Sequence, residues 1–253
     1  MFPYPRSKSF DVILFPAIFN VENTLREITI KTSFLVRILT NARVTNLYWV
    51  LQSKNDEKVI KVVNSIIKYA LTPPYLKKYI KLNKNLKYVG LLDPVNTPYH
   101  VVSKDLIEGE LRMGIRKNDF IDIGTNFPIK IKNGKFFLIV DSNTNYIIKY
   151  YNIYYKGFNI KHCNIDDLKK FRNLIIGSRN GKDPIKEAEK IRKMYRENGI
   201  RLLIGPPDKG CIEILGEWAL ENAYNFFPYQ GNKDVRSEEA LAYALAILNA
   251  ILS

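Results

Sequence analysis

Residues 11–19 (DVILFPAIF) form an apolar, β-branched run with charge before it and Asn20 after it, which predicts a strand buried on both faces. The spacing then changes. Over residues 23–40, Leu25, Ile28, Ile30, Leu35, Ile38 and Leu39 recur near a helical period, and Asn23 or Thr24 offers a capping oxygen at the start. A second apolar strand is predicted over 44–51 (VTNLYWVL), and a second helix over 56–71, where Val59, Val62, Val63, Ile66 and Ile67 share one face. After Pro73-Pro74, a basic aromatic stretch (YLKKYIKLNKNLK) leads into a third predicted strand, 88–92, closed by Asp93-Pro94. Such alternation predicts an α/β fold, a mostly parallel sheet with helices on both faces.

The middle of the chain departs from this pattern. Between residues 97 and 164 short β-type runs (DFIDIG, FPIKIKNGKFFLIVD, YIIKYYNIYYKGFNIK) alternate with turn residues, and Asn133-Gly134 reads as a hairpin. We expect an inserted all-β domain over 97–166, a small antiparallel barrel or sheet, between the two parts of the α/β domain, 1–96 and 167–253. The parallel pattern resumes with strand 172–176, helix 183–197 with Pro184 in its first turn, strand 200–204, helix 212–222, strand 223–227 and a last helix, 237–252.

Composition narrows the functional classes. The two cysteines, Cys163 and Cys211, and two histidines, His100 and His162, supply neither a structural zinc set nor a disulfide framework, so no metal is expected. No apolar run approaches the ~18 residues of a membrane helix, and the opening MFPYPRSKSF lacks a signal peptide's apolar stretch; a cytoplasmic protein without a membrane partner is expected. The formal charge is +14, and residues 1–92 hold 15 basic against 5 acidic side chains while residues 172–253 hold 12 against 11. A codon bias toward lysine would spread more evenly. The asymmetry points to a polyanion, RNA or DNA, as partner.

Three C-terminal strands end in turn-forming loops: GSRNG (177–181), GPPDKG (205–210) and PYQGN (228–232). Gly and Pro there either simply stop strands or shape a pocket outside the strands' carboxyl ends, where backbone amides reach a ligand. Neither GxxxxGK[ST] nor GxGxxG occurs, which argues against an ATPase or a dinucleotide enzyme.

The last loop carries a more specific signal. YNFFPYQGNKDVRSEEALAYALAIL (224–248) resembles the C-terminal knot segment of the SPOUT methyltransferases, within them the archaeal and eukaryotic group of RNA uridine-N3 methyltransferases that includes a human kinetochore-associated member. LKYVGLLDPVNTPYH (86–100), LTPPYLKK (71–78) and NDFIDIG (118–124) are similar to further segments of that group, so the likeness covers nearly the whole chain. It implies a SPOUT fold with a C-terminal trefoil knot, an inserted OB-like domain, a homodimer, and S-adenosylmethionine as methyl donor to RNA, at uridine N3 of large-subunit ribosomal RNA. By position it places cofactor contacts at Gly177, Ser178, Ile204, Gly205, Pro206, Phe227, Gln230, Gly231 and Val235. GPPDKG departs from the pattern in its two prolines and Lys209, where relatives have smaller residues.

Methylating uridine N3 removes a proton and builds negative charge on the base, which asks for a cation or donor nearby. Arg26 resembles the arginine that SPOUT enzymes place beside the target, Arg236 in the last loop is a second candidate, and Glu238 or Glu239 would orient an arginine or accept the proton. Each of these also reads as an ordinary helix-start residue. Tyr75, Tyr79 and Tyr88 in the basic run, and the Tyr-rich stretch 146–155, either stack on bases or pack internally. His100 is expected to serve structure, and Cys211 to be a core residue. The runner-up reading is a non-catalytic RNA-binding or ribosome-assembly scaffold keeping the fold; a cofactor-free DNA-binding OB protein is a third class.

Overall fold

Every residue of strand β1 (Phe10–Leu14) is buried, so both faces of the sheet around it need cover. The computed structural model describes residues 4–125, 127, 129, 133–150 and 153–253. Six parallel strands form the central sheet in the order β11-β9-β10-β1-β2-β8, with β2 (Asn46–Val50), β8 (Asn159–Cys163), β9 (Leu174–Lys182), β10 (Ile200–Ile204) and β11 (Ala223–Tyr224). Alternate residues of these strands face opposite layers. Val12, Trp49, Ile175 and Leu202 point into a core shared with the long helices α1 (Leu25–Asn41), α2 (Lys54–Ala70), α4 (Ala188–Asn198) and α6 (Ser237–Leu252). Ile13, Val50, Ile176 and Leu203 pack on the other side against the short α3 (Ile165–Lys170) and α5 (Cys211–Leu215) and the turn of 3-10 helix Glu217–Asn222.

Local chemistry sets where the long helices begin. Thr24 Oγ1 accepts the Glu27 N–H at the start of α1 and Glu27 returns the bond; Ser53 and Asp56 do the same for α2. At the amino ends of the strands, buried Asp11 accepts from Asn46 Nδ2 (2.7 Å) and Ser9 Oγ (2.5 Å) and lies 3.5 Å from Arg201 Nε. This network closes the end of the sheet away from the loops that carry Gly and Pro.

The strand expected over 88–92 is instead the 3-10 turn Val89–Leu91, none of whose residues is buried. The following residues bind α1: Asp93 N–H donates to Ser33 Oγ (2.9 Å), and Arg37 donates to Pro94 O. The place beside β2 belongs to β8, from a stretch assigned to the insertion. β8 is an edge strand with Asn159, Lys161 and His162 exposed, so it lacks the continuous apolar run that marks a buried parallel strand. The chain thus re-enters the main sheet at residue 159, ahead of the expected boundary at 166. Further along, the helix expected over 212–222 divides at Gly216 into α5 and the 3-10 turn, β9 runs on to Lys182, and the strand expected over 223–227 keeps two residues.

Between α2 and β8 lie two small antiparallel sheets: β3 (Leu111–Met113), β6 (Phe136–Asp141) and β7 (Tyr146–Lys149) form one, β4 (Ile115–Lys117) and β5 (Phe120–Asp122) the other. Ile121, Ile123, Phe137 and Ile139 form their core. The run preceding the expected Asn133-Gly134 hairpin lies largely outside the described residues, as do Tyr151 and Asn152 of the Tyr-rich stretch. The LTPPYLKK segment joins this region to the main sheet. Tyr75 Oη accepts the Met113 N–H (2.8 Å), Tyr79 donates to Asp122, and Lys78 pairs with Asp122 at 3.0 Å. Tyr75 and Tyr79 are therefore engaged in packing. His100 is held the same way: Thr97 Oγ1 lies 2.6 Å from Nδ1, Ala70 O lies 3.2 Å from Nε2, and Tyr99 covers the ring at 4.6 Å.

Two predictions follow from this packing. A Cβ on Gly181 would stand 2.4 to 2.5 Å from the Tyr224 backbone, so Gly181→Ala must part β9 from β11; urea denaturation should show a loss of about 3 kcal/mol. Burial pushes the His100 pKa down to about 4, with the Lys77 charge helping. The neutral ring's stabilisation is full above the unfolded value near 6.5 and is lost as pH falls toward 4, at most about 3 kcal/mol. His100→Gln should flatten the stability curve between those pH values; an unchanged slope would refute the assignment.

Candidate active site

The carboxyl ends of β9, β10 and β11 open onto a cavity of about 730 Å³, within the size range of small-molecule sites. Gly177, Ser178, Ile204, Gly205, Pro206, Phe227, Gln230 and Val235, all expected cofactor residues, line it together. Gly231 is not among the lining residues. The sequence reading missed Arg179, Asn225, Asp234, Ser237 and Ala240, which also line it. Arg179 stands in the GSRNG stretch, which the structure makes part of β9; Asn225 follows β11, Asp234 precedes α6, and Ser237 and Ala240 lie in α6, where neither Gly nor Pro marks them.

Hydrogen bonds fix the three loops against one another. Asn225 donates its N–H to Lys182 O (2.8 Å) and its Nδ2 to Arg179 O (3.0 Å), and its Oδ1 accepts the Phe227 N–H (3.0 Å). Arg179 Nη1 donates to Lys233 O (3.0 Å), and Ser237 Oγ donates to Gly205 O (2.9 Å), drawing the start of α6 onto the end of β10. A Cβ on Gly205 would lie 3.0 Å from Cys211 Sγ, so glycine permits this close approach. The Gln230 amide donates to Asn232 O (2.8 Å) and Lys233 O (2.7 Å), which commits that nitrogen to the loop. Phe227 meets the Tyr243 ring edge-on at 4.2 Å. Burial raises the Cys211 thiol to about 12, making it a core residue and no nucleophile.

The expected catalytic residues stand outside the lining set. Arg26 is exposed in the first turn of α1, with no hydrogen-bond or ion-pair partner among the described residues. Arg236 is exposed between the lining residues Val235 and Ser237, its Nη1 3.9 Å from Glu238 Oε1. Glu239 Oε2 accepts the Arg236 N–H (3.0 Å) and so caps α6. Sequence reasoning gave no sign of Lys31. Its ammonium is buried between Glu22 (3.1 Å) and Glu238 (3.0 Å) and donates to Ile18 O (2.5 Å), tying α1 to the start of α6. No group of three or more His, Cys, Asp or Glu side chains among the described residues is arranged to hold a metal ion.

Residues 18–248 match the sequence model of a family described as "Putative RNA methyltransferase". The chain belongs to this family of RNA methyltransferases, of the SPOUT type. An "uncharacterized protein" of Halobacterium salinarum is 24% identical, the match covering 74% of this chain and 79% of that protein. Another from Haloarcula marismortui is 25% identical over the same shares. Among solved structures, a "putative methylase family protein" from Neisseria gonorrhoeae aligns with a TM-score of 0.39 and 10% identity, covering 100% of this chain and 85% of that one. Within this methyltransferase family member, the Lys31 triad makes a direct claim on stability. Lys31→Met strands two buried carboxylates, and we expect a loss of about 3 kcal/mol in chemical denaturation. Adding Glu22→Leu and Glu238→Leu should restore most of it.

Proposed function

We propose that this protein transfers a methyl group from S-adenosylmethionine to RNA, with uridine N3 of large-subunit ribosomal RNA as the target. The observation that carries the reading is the cavity gathered from the second half of β9 and the loops after β10 and β11 in a chain of an RNA methyltransferase family. Its residues suit the cofactor. Ile204, Phe227, Val235 and Ala240 give apolar walls for an adenine, the backbone around Gly177 and Gly205 gives amide and carbonyl edges, and Asp208, Glu213 and Asp234, set against Arg179 and Lys209, leave one net negative charge to face a sulfonium and an ammonium. When bound, the cofactor supplies an electrophilic methyl group on positively charged sulfur.

The protein's part is placement and charge. Arg236, flanked by lining residues, presents a guanidinium to negative charge developing on the uracil ring, and Arg26 serves the same need from the start of α1. Glu239 holds the Arg236 backbone through the α6 cap, and Lys31 fixes Glu238 beside it. The knot and the OB-like character of the insertion belong to this reading; the Ser237 to Gly205 and Arg179 to Lys233 bonds support the first by pressing the last loop onto two earlier strand ends. A homodimer belongs to it too, supported by exposed Ile30 and Phe34 on α1 and Tyr243 on α6. No helix among the described residues is long and apolar enough to cross a membrane.

Calorimetric titration should detect stoichiometric S-adenosylmethionine binding, and Ala240→Leu, which fills the cavity, should weaken it at least ten-fold. Mass mapping of nucleosides from RNA incubated with protein and labelled cofactor should show methyl incorporation. Arg236→Ala should depress turnover while leaving cofactor affinity unchanged. A protein that binds neither cofactor nor RNA would overturn the reading.

A further inference from the structure

Four lysines gather where α2 ends against the insertion. Lys68 lies in the last turn of α2, Lys77 in the 3-10 turn Pro74–Tyr79, Lys135 next to β6, and Lys156 three residues before β8. Packing fixes their neighbourhood. His100 binds Ala70 O, Tyr99 meets the Phe136 ring at 5.1 Å, and Tyr150 N–H donates to Phe136 O (3.1 Å). Against this frame Lys77 Nζ stands 4.6 Å from the Tyr69 ring, Lys135 Nζ 5.5 Å from Phe136, and Lys156 Nζ 5.8 Å from Tyr150.

None of the four has an ion-pair partner among the described residues, as is true of most lysines of the chain, but these four share one seam. Three of the charges act on one another: the Lys135 pKa is lowered by desolvation, then by Lys156 and Lys68, while burial alone lowers that of Lys77. Mutual repulsion costs folding free energy, and an anion bound among them would offset it. The aromatic rings beside three of the ammonium groups add flat surfaces of the kind that nucleic-acid sites use.

We propose that this seam is a phosphate clamp for the RNA backbone, separate from the cofactor pocket. It rests on the reading of the protein as an RNA methyltransferase. The clamp lies at the far end of α2, whose 17 residues span about 25 Å from the carboxyl ends of the strands. An RNA engaging both sites has to reach over at least about 25 Å.

The test compares the full-length protein with the variant carrying Lys68→Ala, Lys135→Ala and Lys156→Ala. Affinity for a labelled RNA hairpin of about 20 nucleotides is measured across a salt series, with cofactor titrations and thermal melts alongside. We expect the slope of log affinity against log salt to shrink by about 2 to 3, binding at 0.1 M salt to weaken at least ten-fold, and cofactor affinity and melting temperature to be retained or the latter raised. Binding of a four-nucleotide RNA should not change. An unchanged slope for the hairpin overturns the clamp while leaving the methyltransferase reading intact. So does loss of binding to phosphatidylserine vesicles with RNA binding unaltered. Absence of both RNA and cofactor binding by the unsubstituted protein overturns the reading and the clamp together.

Discussion

The bond from Ser237 Oγ to the Gly205 carbonyl, 2.9 Å long, holds the last helix of the chain to the end of β10. The cavity depends on it. α6 follows a loop that leaves β11 after only two strand residues, so little sheet pairing fixes its direction. Asn225 binds that loop to the end of β9, and Ser237 binds its far side to β10. Phe227 and Val235 between these two attachments, and Ala240 in α6, line a space next to a helix face packed by Leu241, Leu245 and Leu248.

Charge is divided between the two ends of the parallel sheet. At the carboxyl ends Arg179 is matched by Asp234 at 3.8 Å, with Asp208 and Glu213 nearby in the cavity wall. At the amino ends Asp11 is buried and satisfied by Asn46, Ser9 and Arg201. The lining of the cavity, with Arg179 and Lys209 against three carboxylates, carries one net negative charge.

Elements whose burial is symmetric were readable from pattern alone. β10 and α6 keep their expected limits, Ile200–Ile204 and Ser237–Leu252, because each buries a face that the apolar residues declare. β8 was invisible for the opposite reason: NIKHC buries Cys163 and leaves three polar side chains in solvent, and its pairing with β2 is decided by tertiary contact. VGLL looked like a strand because apolar composition does not reveal whether a partner is free. Within the site, glycine and proline marked the loops, and eight of the nine residues placed by resemblance do meet at one cavity. Lys31 gave no signal, since a lysine on a helix reads as solvated until a neighbouring element supplies Glu238.

The position of β8 also explains how the insertion is kept in register with the rest of the molecule. Parallel neighbours β2 and β8 need a crossover connection, and here α2 and the whole insertion serve as that crossover. Both of its ends are fastened: Tyr155 Oη donates to Val44 O (2.8 Å) and Asn159 N–H to Thr45 O (3.0 Å) beside β2 on the return, while on the way out Tyr75 Oη accepts the Met113 N–H from the insertion itself. A domain attached by two flexible linkers would swing. One whose exit segment packs into it, and whose return segment becomes a strand of the sheet, is held in place against the rest of the molecule.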